Sequence, residues 1–144
     1  MNYYLDTSTL LKTYMEEDGS RFVLGLMKKK GSIFFASVIT YAEIYSTLTR
    51  LYRDNHFSLN DYTRSKNLFE EDWSKLARVD FSAEVRSKIP TLYEKVYLKG
   101  ADMIHLASAI NLSEKNIDFH FVSADKKLLN AAKTCGLKTT DPTE

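Results

Sequence analysis

Short apolar runs alternate along this chain with longer segments in which apolar residues recur every three or four positions. The longer segments predict amphipathic helices. The short runs predict β-strands at residues 2–6, 33–36 and 119–123, and we expect further short strands at 78–81 and 138–140. Because strands that alternate with helices are typical of parallel sheets covered on both faces, we expect an α/β fold. Its predicted form is a three-layer α/β/α sandwich around a central parallel sheet of four to five strands.

Capping residues, glycines and prolines set the expected ends of the helices. We expect Ser8 to cap a first helix over residues 8–17 and a second helix to end at the lysines before Gly31. Ser58 is expected to cap a long helix, and Pro90 to break or kink a later one. The segment 101–114 is apolar almost all round, which is typical of a buried helix.

Length and composition indicate one compact domain over residues 1–144, with 44% hydrophobic and 27% charged residues. The net charge of +1 means that a nucleic-acid partner would have to be held by a local basic patch or by metal. The single cysteine, Cys135, excludes an internal disulfide and suits a reducing compartment. No segment approaches the roughly 18 apolar residues of a membrane span. We therefore expect a cytoplasmic protein without a membrane partner.

Four acidic residues follow the predicted strands or begin helices beside them. Asp6 and Asp125 come directly after strands, Glu43 lies in the helix after the second strand, and Asp102 begins the apolar helix. The carboxyl ends of parallel strands meet at one edge of a sheet, where ligands bind. Two carboxylates about 4 Å apart repel each other by roughly 4 kcal/mol at an effective dielectric near 20. Four of them together favour a hard divalent cation and predict a metal-dependent phosphodiesterase.

Each acid also has a structural explanation when it is considered alone. Asp6 and Asp125 can cap helices, and Asp102 can be a first-turn acid that complements the helix dipole. Glu43 can form a capping box with Thr40, unless Ser37 caps that helix and leaves Glu43 free. The prediction of a metal site therefore depends on all four acids meeting in space.

Other polar residues near these acids have two interpretations. His105 lies three residues after Asp102 on the same helical face, although its apolar neighbours favour a core histidine. Lys126 and Lys127 oppose the dipole at a helix start, so they either serve a substrate phosphate or form a solvated surface. The candidates for phosphate contacts are Lys12, Arg86, Lys126 and Lys127.

The segments that carry these acids resemble one known family. They are Leu5-Asp6-Thr7-Ser8, Ala42-Glu43, Gly100-Ala101-Asp102 and Ser123-Ala124-Asp125. In order and spacing they resemble the PIN-domain nucleases, and more narrowly the VapC-type toxins of bacterial and archaeal toxin–antitoxin pairs. The resemblance runs from residue 2 to about residue 142 and implies a PIN-like fold.

The resemblance also implies an activity, a metal and partners. It implies a Mg²⁺-dependent (or Mn²⁺-dependent) endoribonuclease that hydrolyses RNA phosphodiester bonds and leaves a 5′-phosphate and a 3′-hydroxyl. The family's metal-binding and catalytic acids fall on Asp6, Glu43, Asp102 and Asp125, and its hydroxyl position falls on Ser123, which would orient a carboxylate or a water. The implied partners are an RNA substrate, a cognate antitoxin and a second copy of the chain in a homodimer.

Two other functions remain as alternatives. The first is a PIN-fold nuclease that acts in RNA processing or on DNA flaps without an antitoxin, and its acids would look the same. The second is a non-catalytic, receiver-like signalling domain, which also carries acids at strand ends. That class needs two adjacent acids after its first strand, whereas Asp6 stands alone.

Overall fold

A computed structural model describes residues 1–144 and contains one sheet of five parallel strands. The strands are β1 (Tyr3–Leu5), β2 (Phe34–Ser37), β3 (Ala77–Val79), β4 (His120–Val122) and β5 (Thr139–Thr140). Their order across the sheet is β3-β2-β1-β4-β5. The predicted α/β fold and parallel sheet are therefore confirmed, with strand ends that differ from the predicted ones by at most two residues.

Seven helices connect or flank the strands. They are α1 (Thr7–Leu11), α2 (Ser20–Met27), α3 (Ile39–Arg53), α4 (Leu59–Lys75), α5 (Ala83–Tyr93), α6 (Gly100–Glu114) and α7 (Lys126–Thr134). None of them is both long enough and apolar enough to cross a membrane.

Alternating side chains of β1 point into two separate cores. Tyr3 and Leu5 pack against residues of α1 to α4, including Ile44. Tyr4, between them, packs against residues of α5 to α7, including Leu106. Since successive side chains of a strand point to opposite faces, the sheet is covered by helices on both sides. The three-layer α/β/α arrangement follows.

The order of the strands reverses at β1. β1 pairs with β2 on one side and with β4 on the other, and Leu5 is in register with Val122. Open parallel sheets bind ligands at such a reversal, in the crevice beyond the carboxyl ends of the strands. The residues that follow Leu5 and Val122 therefore occupy the position where a ligand is expected.

The predicted cap and length of the first helix were wrong, and the helix that contains Pro90 is not broken there. The first helix begins at Thr7 and is capped by Asp6, not Ser8, because the Asp6 carboxylate accepts the backbone N–H of Thr9. It ends at Leu11, well short of Glu17. The helix that contains Pro90 is continuous from Ala83 to Tyr93. Pro90 is exposed, so the carbonyl of Arg86 that lacks its helical partner is accessible to water.

Candidate active site

Asp6 lies at the carboxyl end of β1 and is almost fully buried, with 3% of its surface exposed. Its Oδ1 accepts the backbone N–H of Thr9 at 2.9 Å, and the Ser8 hydroxyl lies 2.9 Å from both carboxylate oxygens. Its Oδ2 accepts the hydroxyl of Ser123 at 2.7 Å. These contacts hold the carboxylate in one orientation at the point where the strand order reverses.

Ser123 connects the ends of β1 and β4. Its hydroxyl is fully buried, donates to Asp6 and accepts the backbone N–H of Asp125 at 3.0 Å. The side chain therefore fixes the Asp6 carboxylate and the start of the segment that leads to Asp125. Its part in catalysis stays a prediction.

Asp125 caps α7 and is exposed to solvent. Its Oδ1 accepts the backbone N–H groups of Lys127 and Leu128, at 3.0 and 3.1 Å. The helix-capping role considered for Asp125 is thus confirmed. It uses one carboxylate oxygen and leaves Oδ2 available to a ligand.

Glu43 does not form the capping box with Thr40. α3 begins after Val38, and the first backbone N–H of the helix, that of Ile39, is bonded to the Ser37 hydroxyl at 3.2 Å. Glu43 Oε1 instead accepts the hydroxyl of Thr7 at 2.6 Å and lies 3.0 Å from Nε2 of His105. Burial would raise the pKa of Glu43, but these two hydrogen bonds outweigh it and the pKa is lowered. Glu43 is therefore held as a carboxylate.

His105 is buried, as its apolar neighbours indicated, yet it is also part of the acidic site. Its Nδ1 lies 3.0 Å from the Tyr4 hydroxyl, and its Nε2 contacts Thr7 and Glu43. The sequence analysis missed Thr7 and Tyr4 and did not connect His105 with Glu43. The spacing of His105 from Asp102 placed it on the right helical face, and Thr7 is the direct neighbour of Asp6.

Asp102 is the acid whose charge is least compensated. Its pKa is raised, first because the carboxyl is partly buried and then because Asp125, Asp6 and Glu43 repel its charge, while His105 opposes the shift. Asp102 is therefore close enough to be affected by three acids that are remote from one another in sequence. The four acids share one edge of the sheet, as their positions after the strands indicated.

The side chains nevertheless stand too far apart to hold one ion together. No three acidic, histidine or cysteine side chains lie where they could coordinate a single cation. Ligation of one or two ions by the four acids, directly or through waters, stays a prediction. Mg²⁺ retains several waters and needs only one or two carboxylates, and hard oxygen donors without protein partners are present at Asp102 and at Asp125 Oδ2. The donor set fits a hydrated divalent cation.

Two of the four candidate phosphate contacts are engaged elsewhere. Lys12 is 6% exposed, and its ammonium group is bonded to Glu17 at 3.0 Å and to the carbonyl of Asp18 at 2.6 Å. Lys126 pairs with Asp141 and Glu144 near the end of the chain. These pairings argue against the predicted phosphate contacts of Lys12 and Lys126, because both ammonium groups are already neutralised.

The other two basic candidates are exposed. Arg86 donates to the carbonyl of Phe81 and lies over the Phe81 ring, and Lys127 lies over the ring of Tyr97. Neither forms an ion pair with an acidic side chain. Their contacts with phosphate stay predictions.

Comparison with known proteins agrees with this geometry. The chain is 25% identical over 114 residues to "Ribonuclease VapC45" of Mycobacterium tuberculosis. The aligned region covers 79% of this chain and 78% of that protein. The fold of this chain is similar to that of a chain in the crystal structure of VapBC2 from Rickettsia felis bound to a promoter DNA fragment. The TM-score is 0.68, with 18% identity and 98% coverage of both chains. It is also similar to a chain of a toxin–antitoxin complex from Klebsiella pneumoniae, with a TM-score of 0.66, 14% identity and coverage of 99% and 98%.

The sequence pattern of the PIN domain matches residues 3–134, a span that includes all four acids, Ser123 and His105. With its parallel sheet, its reversal of strand order at β1 and its acids at that edge, this chain belongs to the PIN domain family.

Proposed function

We propose that this chain is a divalent-metal-dependent endoribonuclease and the toxin of a toxin–antitoxin pair. The observation that carries the proposal is the placement of Asp6, Glu43, Asp102 and Asp125 at the edge where the strand order reverses, where the charges of the other three raise the pKa of Asp102. Membership of the PIN family and the similarity to a relative named as a ribonuclease support it. The reaction is hydrolysis of an RNA phosphodiester, with a 5′-phosphate and a 3′-hydroxyl as products.

The hydrogen bonds and exposure of each residue indicate its proposed role. Asp102 and Asp125 have free carboxylate oxygens and are the first candidates to hold Mg²⁺ or Mn²⁺, with Asp6 and Glu43 as further ligands, directly or through water. Such an ion, when bound, lowers the pKa of a bound water and stabilises negative charge at the phosphate. Ser123 orients Asp6, while Thr7 and His105 keep Glu43 ionised and in place.

Partners and compartment are part of the proposal. The similar solved structures include VapBC2 and a complex described as toxin–antitoxin, which supports a cognate antitoxin for this chain. We also propose a single nuclease domain over residues 1–144, supported by its one continuous sheet, that acts as a homodimer in the cytoplasm. The free Cys135 is consistent with a reducing compartment.

Cleavage of RNA by the purified protein tests the activity. We expect total RNA to be cut in Mg²⁺ and to remain intact in EDTA, with 5′-phosphates at the new ends. Asp6→Asn should lower the rate at least about 100-fold, because the amide keeps the cap on Thr9 but removes the charge. Normal cleavage by Asp6→Asn would contradict the assignment.

A matched control is available at the same edge of the sheet. Asp80 follows β3, is exposed and is not among the charges that act on Asp102. Asp80→Asn should therefore cleave RNA at the rate of the unaltered protein. Thermal unfolding in increasing Mg²⁺ gives a readout independent of activity: the midpoint should rise equally for the unaltered protein and Asp80→Asn, and should rise less for Asp6→Asn.

The remaining alternatives have direct tests. Cleavage of single-stranded DNA or DNA flaps in preference to RNA would favour the flap-nuclease hypothesis. If expression of the protein arrests growth and co-expression of a neighbouring gene does not relieve the arrest, the proposed antitoxin partner would be contradicted. Because the PIN pattern covers residues 3–134, a receiver-like signalling function has no support from the comparisons.

A further inference from the structure

Tyr97 is an exposed aromatic residue beside the acidic edge. It lies in the segment between α5 and α6, five residues before Asp102, and 70% of its surface is exposed. No other large hydrophobic side chain in the chain is as exposed. An aromatic ring that leaves so much apolar surface in water is a candidate contact for a ligand.

The surrounding segment is anchored by other residues. Leu98 is 1% exposed, and its carbonyl accepts the hydroxyl of Tyr93 at 2.8 Å. The rings of Tyr93 and Tyr97 lie 6.2 Å apart at 51° to each other. Tyr97 is therefore placed at a defined position, although it contributes little to the core.

Lys127 contacts the Tyr97 ring across two acid-bearing elements. Its Nζ lies 5.0 Å from the centre of the ring, and its backbone N–H is bonded to Asp125. Tyr97 precedes α6, which carries Asp102, and Lys127 lies in the first turn of α7, which Asp125 caps. The contact thus joins the starts of two helices that carry two of the four acids. Unlike Lys126, Lys127 is paired with no acidic side chain.

We propose that Tyr97 stacks on a base of the RNA strand next to the scissile phosphate and that Lys127 contacts the adjoining backbone phosphate. This inference rests on the proposed ribonuclease function. An exposed ring beside an unpaired ammonium group is the combination that binds single-stranded nucleic acid, because every base has a face to stack and every link carries a negative charge. Lys127 also keeps the ring in position in the free protein by a cation–π contact.

Four variants test the two roles. Tyr97→Ala should weaken RNA binding and raise KM by about 5- to 150-fold, with kcat within about twofold of the unaltered protein, since stacking is worth roughly 1–3 kcal/mol per base. Tyr97→Phe and Tyr97→Trp should stay close to the unaltered protein because they keep a stacking face. Lys127→Met should weaken binding and reduce its dependence on salt concentration.

Binding and cleavage are measured separately. Affinity for a short fluorescent single-stranded RNA is measured by anisotropy in EDTA, and KM and kcat are measured on the same RNA in Mg²⁺. A series of RNAs with one abasic site each locates the stacked base. When the abasic site is at that position, the unaltered protein should bind more weakly than it binds the intact RNA. Tyr97→Ala should bind the abasic and intact RNAs equally. Tyr52→Ala is the matched control, because it removes a 37%-exposed tyrosine at the far end of α3.

The outcomes separate this inference from the proposed function. If the protein cleaves RNA but Tyr97→Ala has unchanged KM and affinity, the stacking role is wrong and the nuclease assignment stands. An equal loss in Tyr97→Phe and Tyr97→Ala would also overturn stacking, because the ring would not be the group that matters. If Tyr97→Ala bound RNA normally but no longer bound a protein partner, the stacking role would also be wrong and Tyr97 would be assigned to a protein contact. Tyr97-dependent RNA binding without cleavage would support stacking and contradict the nuclease.

Discussion

His105 of α6 and Glu43 of α3 are joined by a hydrogen bond of 3.0 Å between Nε2 and Oε1. Because an ionised carboxylate can only accept, Nε2 carries the hydrogen, while Nδ1 lies 3.0 Å from the hydroxyl of Tyr4. Burial raises the pKa of Tyr4, so that hydroxyl keeps its proton. A chain of hydrogen bonds therefore runs from the central strand through a buried histidine to one of the four acids.

Replacement of His105 should impair both the fold and the acidic site. We expect His105→Ala to lower the free energy of unfolding by about 2–4 kcal/mol, since it creates a cavity and removes the hydrogen-bond partner of the buried Tyr4 hydroxyl. It should also slow RNA cleavage, because Glu43 loses a bond that orients it. Urea unfolding and single-turnover cleavage measure the two effects.

Tyr4→Phe is the control for the histidine. It removes only the hydroxyl and should cost about 1–3 kcal/mol in stability, because His105 Nδ1 is then unsatisfied. The contact with Glu43 remains, so cleavage should be slowed much less than in His105→Ala. Equal losses of cleavage in the two variants would show that the histidine acts through stability alone.

Ser123 should matter more for cleavage than for stability. Ser123→Ala removes the hydroxyl that donates to Asp6 at 2.7 Å, and we expect cleavage to fall about 10- to 100-fold with a loss of about 1–2 kcal/mol in unfolding. Ser123→Thr keeps the hydroxyl and should retain most of the activity. The ratio of the kcat values of Ser123→Thr and Ser123→Ala measures the contribution of the hydroxyl to cleavage. A fully active Ser123→Ala would refute the orienting role.

The sequence predicts the central strands well because β1, β2 and β4 are short runs of mainly apolar residues. The positions of Asp6 and Asp125 follow from that pattern and from the rule that parallel strands end at one edge. The cap of α1 was less predictable, because Asp6 and Ser8 are both good caps and only the bond to Thr9 decides between them.

Contacts between remote side chains are the part that the pattern does not contain. Glu43 had two local explanations, and its actual partners lie 36 and 62 residues away along the chain. Lys12 was a candidate for a phosphate contact, but the turn after α1 directs its ammonium group to Glu17. Both outcomes depend on how helices pack, which the spacing of apolar residues does not specify.

Asp102→Asn should stabilise the metal-free protein. The Asp102 carboxylate is repelled by Asp125, Asp6 and Glu43, so loss of its charge should raise the free energy of unfolding in EDTA by up to about 1 kcal/mol at low salt. The same change should abolish cleavage and reduce stabilisation by Mg²⁺. Chemical unfolding with and without Mg²⁺ measures both effects. A variant less stable than the unaltered protein in EDTA would argue against repulsion among the four acids.

Asp141 should contribute to the acid sensitivity of the fold. Burial would raise its pKa, but bonds from Lys126 and Thr143 outweigh it and lower the pKa from 3.8 to about 2. Because the folded pKa lies below the unfolded one, its contribution is present above about pH 3.8 and is lost as the pH falls towards about 2. Asp141→Asn should therefore lower stability by about 1 kcal/mol at pH 7 and flatten its decline between those two pH values.

The exposed pair of Asp118 and Lys138 is the control for that experiment. The Asp118 side chain is 70% exposed and the Lys138 side chain 60% exposed, so Asp118→Asn should change stability little at any pH. Urea unfolding at a series of pH values compares the two variants. Identical pH profiles for Asp141→Asn and the unaltered protein would contradict the assigned role of Asp141.

Two glycines should respond in opposite ways to the same substitution. Gly19 has a φ of +89°, and an added Cβ would lie 2.9 Å from the carbonyl oxygen of Pro142 and 3.2 Å from Lys12 Cδ. Gly19→Ala should therefore lower the free energy of unfolding by about 1–3 kcal/mol. Gly25 lies inside α2 with nothing within 4 Å of the added atom, so Gly25→Ala should stabilise the protein by about 0.5–1 kcal/mol. Thermal unfolding of the two variants measures both changes. If Gly19→Ala were as stable as Gly25→Ala, the turn between α1 and α2 would not be held against the C-terminal segment as the structure describes.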